Sequence, residues 1–216
     1  MVDALNDVST DIDARCKKFI SGLERRCAKL HVETKKLIEK HQASGGLRAK
    51  ANAFPSGLKV RISPNQKANF RTPKQQADSL TKRSKTCWSA HMSDKARHIN
   101  IKSDDVKEWQ AGLSGFTADK WHKELFKGVF VMAMKDAGLV NWLDKPAWGE
   151  GDEFHLQLEG AYKRTAIAKK RELACVEEYL RLTRKKGKKK NVDFEKKPRH
   201  QKLLKKASKN TGIKLD

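Results

Sequence analysis

Residues 9–41 read STDIDARCKKFISGLERRCAKLHVETKKLIEKH, and the apolar spacing in this stretch decides the fold class. Apolar side chains recur at Ile12, Cys16, Phe19, Ile20, Leu23, Cys27, Leu30, Leu37 and Ile38. Steps of mostly three and four gather them on one side of a helix. Ser9 or Thr10 offers a hydroxyl cap for the first turn. Asp11 and Asp13 suit the positive end of the helix dipole; Lys35, Lys36 and Lys40 suit the negative end. Gly45–Gly46 supplies a stop. At about 1.5 Å per residue such a helix is roughly 50 Å long. Either the rest of the chain packs along it, or a partner helix does. Arg26 interrupts the stripe, so the alternative is self-association or a short coiled coil through residues 12–38.

Moving outward, residues 44–86 change character. Three of the five prolines lie here, at Pro55, Pro64 and Pro73. Proline biases its neighbours to extended geometry, so the segment reads as a basic arm with one short strand over LKVRI, 58–62. Helical periods return at about 78–98, 103–111, 118–137 and 152–187. In the third of these, Trp121, Leu125, Phe126, Val129, Phe130, Met132 and Ala133 cover more than one stripe, as a central core helix does. Thr117 is its expected cap and Gly138 its stop. Asp152 and Glu153 are placed to open the fourth. A last short helix is expected over 195–209, with Leu203 and Leu204 its apolar pair. The fold class is mainly α: a long N-terminal helix plus a compact helical body, with basic extended or partly disordered segments. The expected division is 1–43, 44–86, 87–183 and 184–216.

The 216 residues are 38% hydrophobic and 34% charged, with a net charge of +22. The charge is uneven. Residues 1–43 carry net +2, 44–86 net +9, 87–180 net −1 and 181–216 net +12. All five tryptophans lie in the neutral stretch and are expected in the core, with Trp148 the candidate for exposure. A polyanion is the partner such a pattern attracts, and nucleic acid is the commonest. No apolar run reaches the length of a membrane span. The first residues have neither a secretory h-region nor the Arg-rich character of a transit peptide. Cys16, Cys27, Cys87 and Cys175 show no CxxC spacing. That argues against a zinc finger or a disulfide scaffold and for a reducing intracellular compartment. KKGKKK, 185–190, matches a nuclear-localisation pattern, relevant only in a cell with a nucleus.

The candidate nucleic-acid contacts follow the charge. The first arm offers Arg48, Lys50, Lys59, Arg61, Lys67, Arg71, Lys74, Lys82, Arg83 and Lys85. The second offers Arg184, Lys185, Lys186, Lys188, Lys189, Lys190, Lys196, Lys197, Arg199, Lys202, Lys205 and Lys206. Each phosphate that such a side chain neutralises releases condensed counterions. Phe54 and Phe70, interleaved with charge, are candidates for stacking on unpaired bases, against a core role for each. Lysine outnumbers arginine 35 to 13. Lysine lacks the planar fork that reads guanine edges, so contacts to the backbone of RNA or DNA, tolerant of sequence, are expected. The function read from these features is non-catalytic nucleic-acid binding, in packaging, in a ribonucleoprotein or as a replication or recombination accessory.

Two other classes compete. A protein-interaction adaptor would act through the long helix. A metal-dependent nuclease would gather Asp144, Glu150, Asp152, Glu153 and His155; helix-terminal acids in a polar loop account for the same residues. Cys87, His91 and His98, spaced along one expected helix face, fall one ligand short of a zinc site. No phosphate-cradling glycine loop, cofactor motif or catalytic triad spacing is present, so neither cofactor nor enzymatic activity is expected.

Overall fold

The computed structural model describes residues 3–44, 53–56, 59–64, 70–80, 86–102, 120–148, 155–163, 165–190 and 198–213. The protein is mainly helical, as its periodicity predicts. The helices are α1 (Asp3–Ala43), α2 (Pro73–Leu80), α3 (Lys120–Ala137), α4 (Ala166–Lys190) and α5 (Pro198–Thr211), with a 3-10 turn at Ala90–Ser93. The strands are β1 (Lys59–Ile62), β2 (Ala96–Lys102), β3 (Leu139–Val140) and β4 (His155–Leu158). Among the described residues no helix is long and apolar enough to cross a membrane. The chain forms two compact units. One comprises residues 10–63 and 98–159, the other residues 1–9, 64–97 and 160–216.

The first unit packs α1 and α3 with a four-stranded sheet of order β1-β2-β4-β3. β1 runs antiparallel to β2, with Lys59 opposite Lys102 and Ile62 opposite Ile99. β3 runs antiparallel to β4. Ile12, Cys16, Phe19, Leu23 and Cys27 of α1 are buried in one core with Phe126, Phe130, Ala133 and Met134 of α3. Val60, Ile99, Ile101, Leu139 and Leu156 join it from the sheet. The rings of Phe19 and Phe130 meet edge to face at 5.0 Å, a favoured aromatic geometry. The long helix is therefore covered by its own chain over this stretch. Arg26, which breaks the apolar stripe, reaches Asp136 of α3 at 2.5 Å.

Several expectations are corrected here. α1 begins at Asp3, so Ser9 and Thr10 lie inside it rather than capping it. Its stripe ends early: Leu37 is 56% exposed, and the buried position is Thr34. The Thr34 hydroxyl donates to Leu30 O at 2.7 Å and accepts from Phe54 N at 2.8 Å. Gly45–Gly46, Thr117 and the helix expected over 103–111 lie outside the described residues. Residues 96–98 and 155–158 are strands where helices are expected, and β2 continues to Lys102. β2 alternates as a half-buried strand does, with Ile99 and Ile101 buried while His98 and Asn100 are half-buried, whereas His155, Leu156 and Gln157 of β4 are all buried. Trp148 packs on Phe126 and Phe130 at 5.7 and 5.0 Å, and among the described residues Trp142 is the exposed tryptophan. Met132, assigned to the core face of α3, is 53% exposed.

The second unit is built on α4. Its core joins Ala77 and Leu80 of α2, Cys87, Trp88 and Met92, then Ala168, Cys175, Val176 and Tyr179 of α4, and finally Leu203, Leu204 and Ala207 of α5. α2 occupies part of the segment expected to be an extended arm. The Thr72 hydroxyl accepts from Gln75 N at 3.2 Å, and the Gln75 side chain accepts from Thr72 N at 3.0 Å. This reciprocal capping box starts a helix, and Pro73 occupies the first helical position, where proline is favoured.

Candidate nucleic-acid interface

The charge belongs mostly to one unit. The unit built on α4 contains 28 basic and 10 acidic residues, net +18; the other contains 20 and 16, net +4. Within the basic unit, among the described residues, α5 presents a regular array. Its sequence, PRHQKLLKKASKNT, has no acidic residue. Leu203, Leu204, Ala207 and Thr211 are buried along one face. Lys202, Lys205, Lys206 and Lys209 are exposed. At 100° per residue these four fall within an arc of about 100°, opposite the buried face, over about 10 Å of axis. Burial of one face thus fixes the direction of the other.

The helix is held at both ends. Pro198 begins it, and Gly212, with φ of 75°, takes the left-handed conformation that ends it. Asn210 donates to Glu172 of α4 at 3.0 Å. Lys209 was missing from the residues expected in the second arm. Its place three residues beyond Lys206 completes the stripe, and this spacing was available to find it.

The other expected contacts divide. Arg184 is exposed on α4, and Lys74 is exposed on α2. Arg181, one turn before Arg184, chelates Glu178 through Nε and Nη2, both at 2.7 Å. That bond holds the Glu178 carboxyl below the usual carboxylate range. Arg71 is half-buried and structural: its backbone N–H donates to His91 O and its guanidinium to Gln76 at 3.3 Å. In the sheet unit Lys59 and Arg61 are both exposed, two apart on β1, while Val60 between them is buried. Lys185, Lys186, Lys188, Lys189 and Lys190 lie on the last turns of α4, and Arg199 on the first turn of α5; their side chains lie outside the description. Arg48, Lys50, Lys67, Lys82, Arg83, Lys85, Lys196 and Lys197 lie outside the described residues.

Phe54 does not fit a stacking role. It is fully buried, and its backbone is clamped by α1: His31 Nδ1 donates to its carbonyl at 2.6 Å, and Thr34 accepts its N–H. Apolar burial takes the ring that the charge pattern suggested for a base. Phe70 is 39% exposed.

The candidate metal groupings also change. Cys87 and His91 do not share a helix face with His98, because no helix runs over 78–98 and His98 lies on β2. The Cys87 thiol instead faces Cys175 at 2.7 Å. In the sheet unit His98 Nε2 lies 3.4 Å from His155 Nδ1, the rings perpendicular, and His155 Nε2 lies 2.9 Å from Gln157 Oε1. Of the acidic group proposed for a nuclease, Asp144 lies in a turn with φ of 60°, and Glu150, Asp152 and Glu153 lie outside the described residues. No family model matches the chain, nor does any curated protein or solved structure.

Proposed function

We propose that the protein binds nucleic acid through the phosphate backbone, without catalysis, and that the lysine face of α5 is the ordered centre of the contact. The observation that carries this reading is the concentration of charge: net +18 in one unit, with Lys202, Lys205, Lys206 and Lys209 aligned on a helix that has no acidic residue. Solubility alone favours added acidic residues over added lysines. A fixed row of ammonium groups suits phosphates and reads no base edges, so the contact tolerates sequence. Lys185 to Lys190 and Lys196 to Arg199 extend the basic sequence on the N-terminal side of this row. The place of the protein is then that of a packaging, ribonucleoprotein or replication and recombination accessory component.

The test is a salt titration of binding to duplex DNA, duplex RNA and single strands, for the wild type and for Lys202→Ala/Lys205→Ala/Lys206→Ala/Lys209→Ala. Substitution is preferred to deletion because α5 also supplies Leu203, Leu204 and Ala207 to the core. Losing four duplex phosphate contacts should flatten the log–log salt slope by about 3.6. An unchanged slope and affinity, with helical content intact, would remove α5 from the interface. A stable protein partner and no nucleic-acid affinity would favour the adaptor reading.

A further inference from the structure

Two thiols of the basic unit meet across 88 residues of chain. Cys87 precedes the 3-10 turn, and Cys175 lies in the middle of α4. Both are buried, and their sulfurs face each other in direct contact. Two cysteines brought this close from distant elements satisfy the first requirement of a cross-link, proximity of the two sulfurs. The remaining two cysteines do not. Cys16 and Cys27 share one face of α1, eleven residues apart, about 16 Å along the axis.

We propose that Cys87 and Cys175 form an oxidative modification site, closing to an intramolecular disulfide by exchange with a low-molecular-weight disulfide. In the first step one protein thiolate attacks the small disulfide, forming a mixed disulfide and releasing one small thiolate. In the second, the other protein thiolate attacks the protein-side sulfur, forming the Sγ–Sγ bond and releasing the second small thiolate. Two protein thiols are oxidised, one small disulfide is reduced to two thiols, and the two protons pass to the departing sulfurs.

The surroundings set the rate of this reaction. The hydrogen bond to Cys175, then burial, hold the Cys87 thiol protonated well above the ordinary thiol range. A neutral thiol is a poor nucleophile, so the first attack belongs to a locally opened state. Closure is slow beside the reaction of an exposed thiol. The bond then fastens the segment containing Trp88 and Met92 to α4, and closes a long loop that limits the unfolded chain. The proposal is independent of nucleic-acid binding, because it concerns the core beneath α5 rather than the lysine face.

The experiment uses the full chain, equilibrated with oxidised glutathione, then unfolded, alkylated and digested for mass spectrometry. The expected result is one cross-linked peptide joining Cys87 to Cys175, alkylation of Cys16 and Cys27, and a fall from four free thiols to two. The oxidised protein should melt several degrees above the reduced one, and the difference should vanish in Cys175→Ala. Four alkylatable thiols after prolonged equilibration would overturn the proposal. So would glutathione adducts spread over the cysteines with no Cys87–Cys175 link.

Discussion

The side-chain amide of Asn210 donates to Oε1 of Glu172 at 3.0 Å and pins the last helix to α4, 38 residues earlier in the chain. The acceptor is buried, at 1% exposure, so its partners matter more than those of a surface carboxylate. Asn210→Ala should lower stability by about 1–3 kcal/mol, as expected when a buried acceptor loses one donor. Urea unfolding followed by circular dichroism checks it.

Lys209 makes a narrower test of the lysine face than the fourfold variant. It lies in the same arc as Lys202, Lys205 and Lys206 and is itself exposed. Lys209→Ala should flatten the duplex-binding salt slope by about 0.9 and weaken binding evenly across sequences. Fluorescence anisotropy at graded salt reads both effects.

Gly138 ends α3 with φ of 64°, and a Cβ there would meet the guanidinium of Arg15. Arg15 also donates to the Gly138 carbonyl at 3.3 Å, so the side chain has reason to stay. Gly138→Ala should cost about 1–2 kcal/mol from the left-handed backbone alone. A thermal melt with a loss larger than that of Gly128→Ala, where a Cβ meets nothing, would bear this out.

Glu178 and Arg181 give the pH dependence a sign. The arginine depresses the folded carboxyl, so the pair adds stability above the unfolded carboxyl's titration and loses it as pH falls through the depressed folded value. Arg181 is exposed and Glu178 half-buried, and added salt should shrink the effect. In Arg181→Ala the Glu178 carboxyl should titrate at higher pH, by NMR of its side-chain carbon, with nucleic-acid binding at neutral pH little changed.

Phe130 sits between Phe19 and Trp148, with ring centroids 5.0 Å from each. Phe130→Ala should therefore destabilise by about 3–5 kcal/mol. The transition to follow is the melting of the sheet unit, by tryptophan fluorescence.

What was legible in the sequence was mostly helical. The i, i+3, i+4 stripe from Ile12 to Cys27 announced α1, and the broad apolar face from Leu125 to Ala133 announced α3. The strands were harder. ARHINIK alternates over seven residues, but it follows a stretch whose spacing also fits a helix. HLQL is too short for its period to separate strand from helix. The prolines misled where their position outweighed their presence: Thr72-Pro73-Lys74-Gln75 is a helix start, and counting prolines hid it. Charge pointed to the basic segments but not to their order. Only the burial of Leu203 and Leu204 turns a run of lysines into a directed row. The Cys87–Cys175 meeting had no local signal, because its partners are distant in sequence and no spacing rule links them.

The order in which the basic unit's parts are synthesised has its own consequence. Leu80 and Leu204 share a core, yet residues 98–159 belong to the other unit and separate them in the chain. At roughly 5–20 residues per second, the ribosome needs about 6–25 s to travel from one to the other. For most of that interval Trp88 and Met92 wait for both α4 and α5. α5 is then the closing piece of this core as well as its outer face. A chain cut short before Pro198 is expected to expose that core to proteases rather than merely to lose charge, and nascent-chain proteolysis would register the difference.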